Sequence, residues 1–361
     1  MAKVKVTPSG LKEAVKKCEA LRRHTKRPID ISLGEYVKKS LGCSMESAYK
    51  DLKINPTLDT IQNIINMPDS NYRWLIPEIY RDALRLGLRK APIYPNIITA
   101  EQSVSQTSVK MPAINMSEAT PKRVGTAETI TTGSVSFDQK DVKIYKYGRG
   151  FKVPYEVVQY VPLNLVSIYL QDFGIKLGMG LDTMMIQTLI NGDQASGVDS
   201  IATVGIDTVN DLTFRDLLRI WVRMGRLGKN PANMIAGEDM AIEILELLTD
   251  KRVQGTQRVN VNVKTPIPTN ANVWVHGAVP ASQSIIVDPS SSLVKLNAQP
   301  LLVESDKIIS NQVQEVYATF TTGFATIYRD SRLLLDLTVD FQDDGFPTWM
   351  DPTYQEQVSF D

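Results

Sequence analysis

Residues able to do bond chemistry are few in this chain and lie far apart. Its 361 residues include two histidines, His24 and His276, and two cysteines, Cys18 and Cys43. The cysteines have no metal-ligand spacing and read as reduced thiols. His24 falls in a basic stretch, and His276 closes a short strand, NVWVH. So few His and Cys support neither a zinc site nor a Cys–His pair. Two adjacent acid pairs, Glu238-Asp239 and Asp343-Asp344, are suited to solvated loops or a first helical turn. A hydrolase built on carboxylates alone stays open as an alternative on these residues. Against it, the four tryptophans (Trp74, Trp221, Trp274, Trp349) are scattered and form no sugar-binding platform. There is no G-x-S-x-G, H-E-x-x-H, Walker loop or dinucleotide fingerprint. The expectation is a protein with no enzymatic activity, no cofactor and no metal.

Charge gives a second constraint. Forty basic residues balance forty acids, so net charge does not drive binding to nucleic acid or to an acidic membrane. The distribution is uneven. Residues 1–30 hold nine bases against three acids, whereas from residue 333 onward there are seven acids and no Lys or Arg. The basic segment leaves a nucleic-acid-binding reading open, which a steep salt dependence would support. The first residues contain no signal-like apolar core, and no run reaches the roughly 18 apolar residues of a membrane span. The expected site of synthesis is a cytoplasm.

Which elements would position any site? Helical patterns occupy 10–27 (ending at Pro28), 44–53 after a cap at Ser44, 57–66, and 76–89. Residues 163–190 carry the clearest stripe: Val166, Leu170, Phe173, Leu177, Leu181, Met184 and Thr188 at steps of three and four. Asn164 suits the N-cap and Asn191-Gly192 the stop. Such a helix is about 42 Å long. Gly174, Gly178 and Gly180 weaken it and let another backbone come close. Further helices are expected at 213–228 and 238–252. Strands are expected at 232–236, 272–276, 284–287, 293–296, 300–304 and 314–322, before a long segment at 323–341.

Between residues 103 and 147 the sequence is rich in Thr, Val and Ser. It alternates at Val135, Phe137, Val142 and Ile144 around a polar, turn-rich middle. The pattern predicts a long two-stranded hairpin. A hairpin with so little apolar surface is marginal alone in water and needs another surface to lie on.

Three stretches carry a family resemblance. The first is VSFDQKDVKIYKYGRGFKVPYEVVQYVPLNLVSIYLQDFGIKLGMGLDTMMIQTLINGDQASG, in which a hairpin leads into a long helix that stops at Asn191-Gly192-Asp193. The second is the helix–strand–helix block 213–252. The third is the late strand passage GFATIYRDSRLLLDL. Over about residues 75–345 the order of elements resembles the major capsid proteins of tailed bacteriophages. The resemblance implies an α+β, Hong Kong 97-type capsid fold. It divides into an N-terminal arm (1–75), a peripheral domain (76–102, 148–204 and 323–345) with spine helix 163–190, an extended loop (103–147), an axial domain (205–322) and a C-terminal tail (346–361).

The resemblance also implies what the chain does. Copies would assemble into pentamers and hexamers of an icosahedral shell around double-stranded DNA, without sequence-specific contact. Scaffold, portal and decoration proteins are possible partners, assembly would occur in the host cytoplasm, and the chain would reside in the virion without touching a membrane. Expected subunit-interface residues are Lys122 and Arg123 near the loop tip, Val135, Phe137, Val142 and Ile144 along the loop, and Arg22 and Arg23 in the arm. No shell-cross-linking Lys/Asn/Glu set is identifiable. An encapsulin-like nanocompartment shell, with the same fold and a protein cargo, is the alternative.

Overall fold

The computed structural model describes residues 7–23, 31–40, 42–90, 92–114, 124, 126, 135–193, 200–249 and 271–341. His24, Lys122, Arg123, Asp343 and Asp344 therefore lie outside the described residues, as does the expected tail 346–361.

Helices come first. α1 (Pro8–Arg22) starts where Thr7 accepts a hydrogen bond from the Gly10 N–H, and it ends before the expected stop at Pro28. α2 (Leu33–Ser40), α3 (Met45–Asp51, capped by Ser44) and α4 (Ile61–Ile65, capped by Thr60) follow. α5 (Leu75–Lys90) is the longest of this group. Each short helix buries one or two side chains completely: Leu11 and Cys18, Leu33 and Val37, Ala48, Ile61 and Ile64. All of these join a single apolar cluster with Leu75, Tyr80 and Leu84 of α5. Burying a Leu or Ile yields about 1.5–3 kcal/mol, so together these helices are firmly bound to their own chain. No single short helix shows a strong stripe, and the cluster emerges only when all of them pack on α5.

α7 (Leu163–Asn191) is the expected long helix. Pro162 takes the cap position in place of Asn164. The first N–H groups are satisfied by a preceding loop instead, with Leu163 N–H donating to Asp59 O and Asn164 N–H to Pro56 O, both at 3.0 Å. Gly192 stops the helix at φ 78°, a conformation that favours glycine. The buried face runs Val166, Leu170, Gly174, Gly178, Leu181, Met185 and Leu189, so two glycines fill places where the apolar stripe was expected to continue through Phe173 and Leu177. The reason is α5, which crosses there. A Cβ on Gly174 would lie 2.2 Å from Leu84 O, and one on Gly87 would lie 2.0 Å from Gln171 O. Gly180 has open space around it.

Two sheets complete the body. The first has order β1-β9-β10-β4, from β1 (Ile98–Ser103), β4 (Tyr145–Pro154), β9 (Leu293–Ile308) and β10 (Val313–Thr326). β9 joins what the sequence suggested were two strands. Pro300, which lacks an N–H, sits where the β9–β10 register shifts opposite Thr319 and Thr321, so it costs no ladder bond. A short helix, α6 (Tyr155–Tyr160), links β4 to α7.

The second sheet has order β5-β11-β8-β6-β7. It contains β5 (Ala202–Ile206), β6 (Asn233–Ala236), β7 (Asn272–Val275), β8 (Gln283–Val287) and β11 (Arg332–Asp340). Alternate side chains enter different cores. Ile235, Ile285, Val287 and Leu334 face the cluster shared with α5 and α7. Met234, Ala236, Ile286, Leu333 and Leu335 face a second cluster, under α8 (Phe214–Arg226) and α9 (Glu238–Thr249). The expected boundary at 322/323 falls within β10, and β11 beyond it pairs with β8 and β5. Strand partners so distant in sequence leave no local signal.

Candidate assembly surface

β2 (Ser108–Ile114) and β3 (Val135–Lys143) form the third sheet, a two-stranded antiparallel ribbon. Its register places Ser108 opposite Lys143, Val109 opposite Val142 and Lys110 opposite Asp141. The ribbon is rooted at one end. Val142 and Ile144 are buried with Val104, Leu296 and Ala325 in a small separate cluster. Ile144 N–H donates to Thr107 O at 2.8 Å, and Val104 N–H donates to Asn297 O at 2.9 Å. Among the described residues, the ribbon away from this root pairs with neither of the larger sheets.

The structure separates the expected interface residues. Val142 and Ile144 are 1% and 5% exposed. They anchor the ribbon to its own chain, which corrects their assignment to a subunit interface. Val135 and Phe137 lie on β3, but their side chains fall outside the described set. Arg22 is also corrected: its guanidinium is buried and held by Glu78 of α5 and by the Ile31 carbonyl. Arg23 is exposed and approaches Glu304 of β9 at 3.4 Å. The two arginines are adjacent in sequence but not equivalent, since helix geometry turns one inward and the other outward.

Several buried charges position these parts, and the sequence alone did not reveal them. Asp182 on α7 accepts from the backbone N–H groups of Ile93 and Tyr94 at 2.9 Å. Burial nevertheless raises its pKa to about 6. This contact pins the chain after α5 to the middle of the long helix. Asp193, just beyond the helix stop, accepts from the N–H and hydroxyl of Thr326 at 3.1 and 3.0 Å. Arg81 donates to Leu301 O and to Ile31 O, tying α5 to β9 and to the segment before α2. Asp82 sits among Glu78, Arg81, Arg22 and Arg85, and burial raises its pKa to about 6. The one available signal was charge on apolar helix faces: Asp182 lies one residue from Leu181, and Glu78 and Arg81 are spaced three apart.

Among the described residues, no group of His, Cys, Asp or Glu is placed to hold a metal ion. No described helix is long and apolar enough to cross a membrane. What the geometry offers is surface: a ribbon held at one end, and outward faces of α7, α8 and α9 that carry exposed apolar residues.

A family model described as phage capsid protein matches residues 138–333, more than half of the chain. The chain belongs to the phage capsid protein family. No curated protein matches. Among solved structures, this capsid protein is similar to the capsid of a native gene transfer agent particle at 13% identity and TM-score 0.51, covering 70% of this chain and 90% of that one. It is also similar to the SrpI encapsulin of Synechococcus elongatus, at 11% identity and TM-score 0.51 with the same coverage. A Gordonia phage Cozz structure aligns at 12% identity and TM-score 0.48, over 68% of this chain and 86% of that one. The fold is therefore the Hong Kong 97-type α+β capsid fold, and the function of the chain is that of a capsid shell protein.

Proposed function

We propose that this chain is the major head protein of a tailed phage, and that its copies form a closed icosahedral shell around double-stranded DNA. The observation that carries this reading is the β2–β3 ribbon, which extends from its root as a sheet of its own. A two-stranded sheet gains lasting stability only when a third surface covers it, and in a shell the neighbouring subunit supplies that surface. The loop, residues 103–147, lies across the adjacent copy, with Lys122 and Arg123 near its tip offered for intersubunit ion pairs. Rings of five and six copies close by heterologous contacts. The finished shell encloses DNA by shape and holds no base-specific contacts. It forms in the host cytoplasm and receives scaffold, portal or decoration proteins on its surfaces.

The test is negative-stain microscopy of the purified chain. Closed particles, rings or capsomer sheets are expected, and a persistent monomer under all assembly conditions overturns the reading. Particles from infected cells should protect DNA from nuclease. Particles that hold only protein cargo would instead identify a nanocompartment shell.

A further inference from the structure

α8 and α9 lie on the same face of the five-stranded sheet, and their buried sides share one core. Their outer sides differ in sign. α8 (FRDLLRIWVRMGR) carries four arginines, and its only acid, Asp216, is buried in the capping box with Thr213. α9 (EDMAIEILELLT) carries four acids and no base. On α8 the exposed row is Arg215, Leu218, Val222 and Arg226, at the steps of three and four that keep residues on one helix face. Leu218 is 39% exposed and Val222 is 61% exposed. On α9 the exposed row is Glu238, Ile242 and Glu246, with Ile242 at 49%. Each row is an apolar centre between like charges, and the two rows are complementary.

We infer that the arginine-flanked row of α8 docks on the acid-flanked row of α9 in a second copy of this chain. The inference rests on the shell-subunit reading and specifies one of its interfaces. Charge selects the arrangement. Pairing α8 with α8, or α9 with α9, sets like charges against each other, and that juxtaposition costs several kcal/mol, a figure of about the size found at mismatched interfaces. Pairing α8 with α9 sets each arginine-flanked row against an acid-flanked one. Both helices cover one face of the five-stranded sheet, with α9 against β8 at its centre, so both rows are presented to a copy that approaches that face.

The test is a block charge exchange in the full chain. One variant carries Arg215→Glu with Arg226→Glu, a second carries Glu238→Lys with Glu246→Lys, and a third combines all four. Assembly is followed by light scattering and microscopy, and subunit folding by circular dichroism. Each two-site variant should stay folded and need at least about tenfold more protein to assemble, given the size of such charge effects. The four-site variant should recover most of the loss. A chain with Val222→Ser, which carries no charge change, should also assemble less well while folding normally. Equal assembly by all variants overturns the inference, and so does a folded four-site variant that fails as badly as its parents. Failure of the unmodified chain to assemble at all would instead overturn the shell reading itself.

Discussion

Arg22 of α1 forms a two-pronged ion pair with Glu78 of α5, and both side chains are only 4% exposed. The same guanidinium also donates to Ile31 O, so one side chain joins α1, the segment before α2, and α5. Removing one member of a buried pair leaves the other charged and unsolvated, at a cost of about 3–5 kcal/mol. Arg22→Ala should therefore lower the unfolding free energy of the subunit by about that amount in chemical denaturation. Adding Glu78→Gln to it should recover part of the loss. A loss below about 1 kcal/mol, the size of a surface pair, would show that the contact is not buried in solution.

Asp182 gives a second case. Asp182→Ala leaves the N–H groups of Ile93 and Tyr94 buried without an acceptor, each costing about 1–3 kcal/mol. Asp182→Asn keeps one acceptor oxygen and should be milder. The order wild type, Asn, Ala in midpoint denaturant concentration checks this, and an Ala variant as stable as wild type would contradict it.

The glycines of α7 separate by position. Gly174→Ala places a methyl 2.2 Å from Leu84 O and must push α5 away, so it should destabilise by about 1–3 kcal/mol, as overpacking does. Gly180→Ala meets nothing within 4 Å and should stabilise by up to about 1 kcal/mol through helix propensity. Opposite shifts in melting temperature are expected, and shifts of the same sign would refute the crossing described for α5 and α7.

Burial raises the Asp82 carboxyl to about 6 from its ordinary value of 3.8. The folded state then holds this proton more tightly than the unfolded state does. Its contribution is fully present below about pH 4 and is lost as pH rises through about 6. The total swing is at most about 3 kcal/mol, at roughly 1.4 kcal/mol per unit. Asp82→Asn should flatten the decline in subunit stability between pH 4 and 7, read from denaturation at each pH. An unchanged pH profile would remove Asp82 as its source.

The ribbon can be shortened without touching its root. Lys110 faces Asp141 in the register, so replacing residues 111–140 by Asn-Gly closes a tight turn there. The shortened chain should keep a melting temperature within about 2–4 °C of the parent, the shift about 1 kcal/mol gives in a large domain, and should fail to assemble. Normal shells from this variant would show that the ribbon is dispensable.

Features written in one continuous segment were legible from sequence. α7 was evident from its stripe, α8 from its Thr213 cap, and the β2–β3 ribbon from alternation with little apolar bulk. Features that depend on distant partners were not legible. Val142 and Ile144 had the right spacing for strand residues, but nothing local says which surface they meet, and they meet Leu296 and Ala325. Arg22 and Arg23 look alike in sequence, and only the position of α5 turns one into a buried clamp. Gly174 marked a place where another backbone could come close, but nothing local says that this backbone is α5 at Leu84.

The position of β11 has an outcome for biosynthesis. It lies between β5 and β8, so a ribosome has released residues 202–206 long before it releases the strand that joins them to the rest of the sheet. Until residue 332 emerges, β5 has no neighbour among the described strands, and the layer beneath α8 stays open. A product broken off earlier cannot finish this layer, and so cannot offer the lattice a subunit that matches its intact sisters.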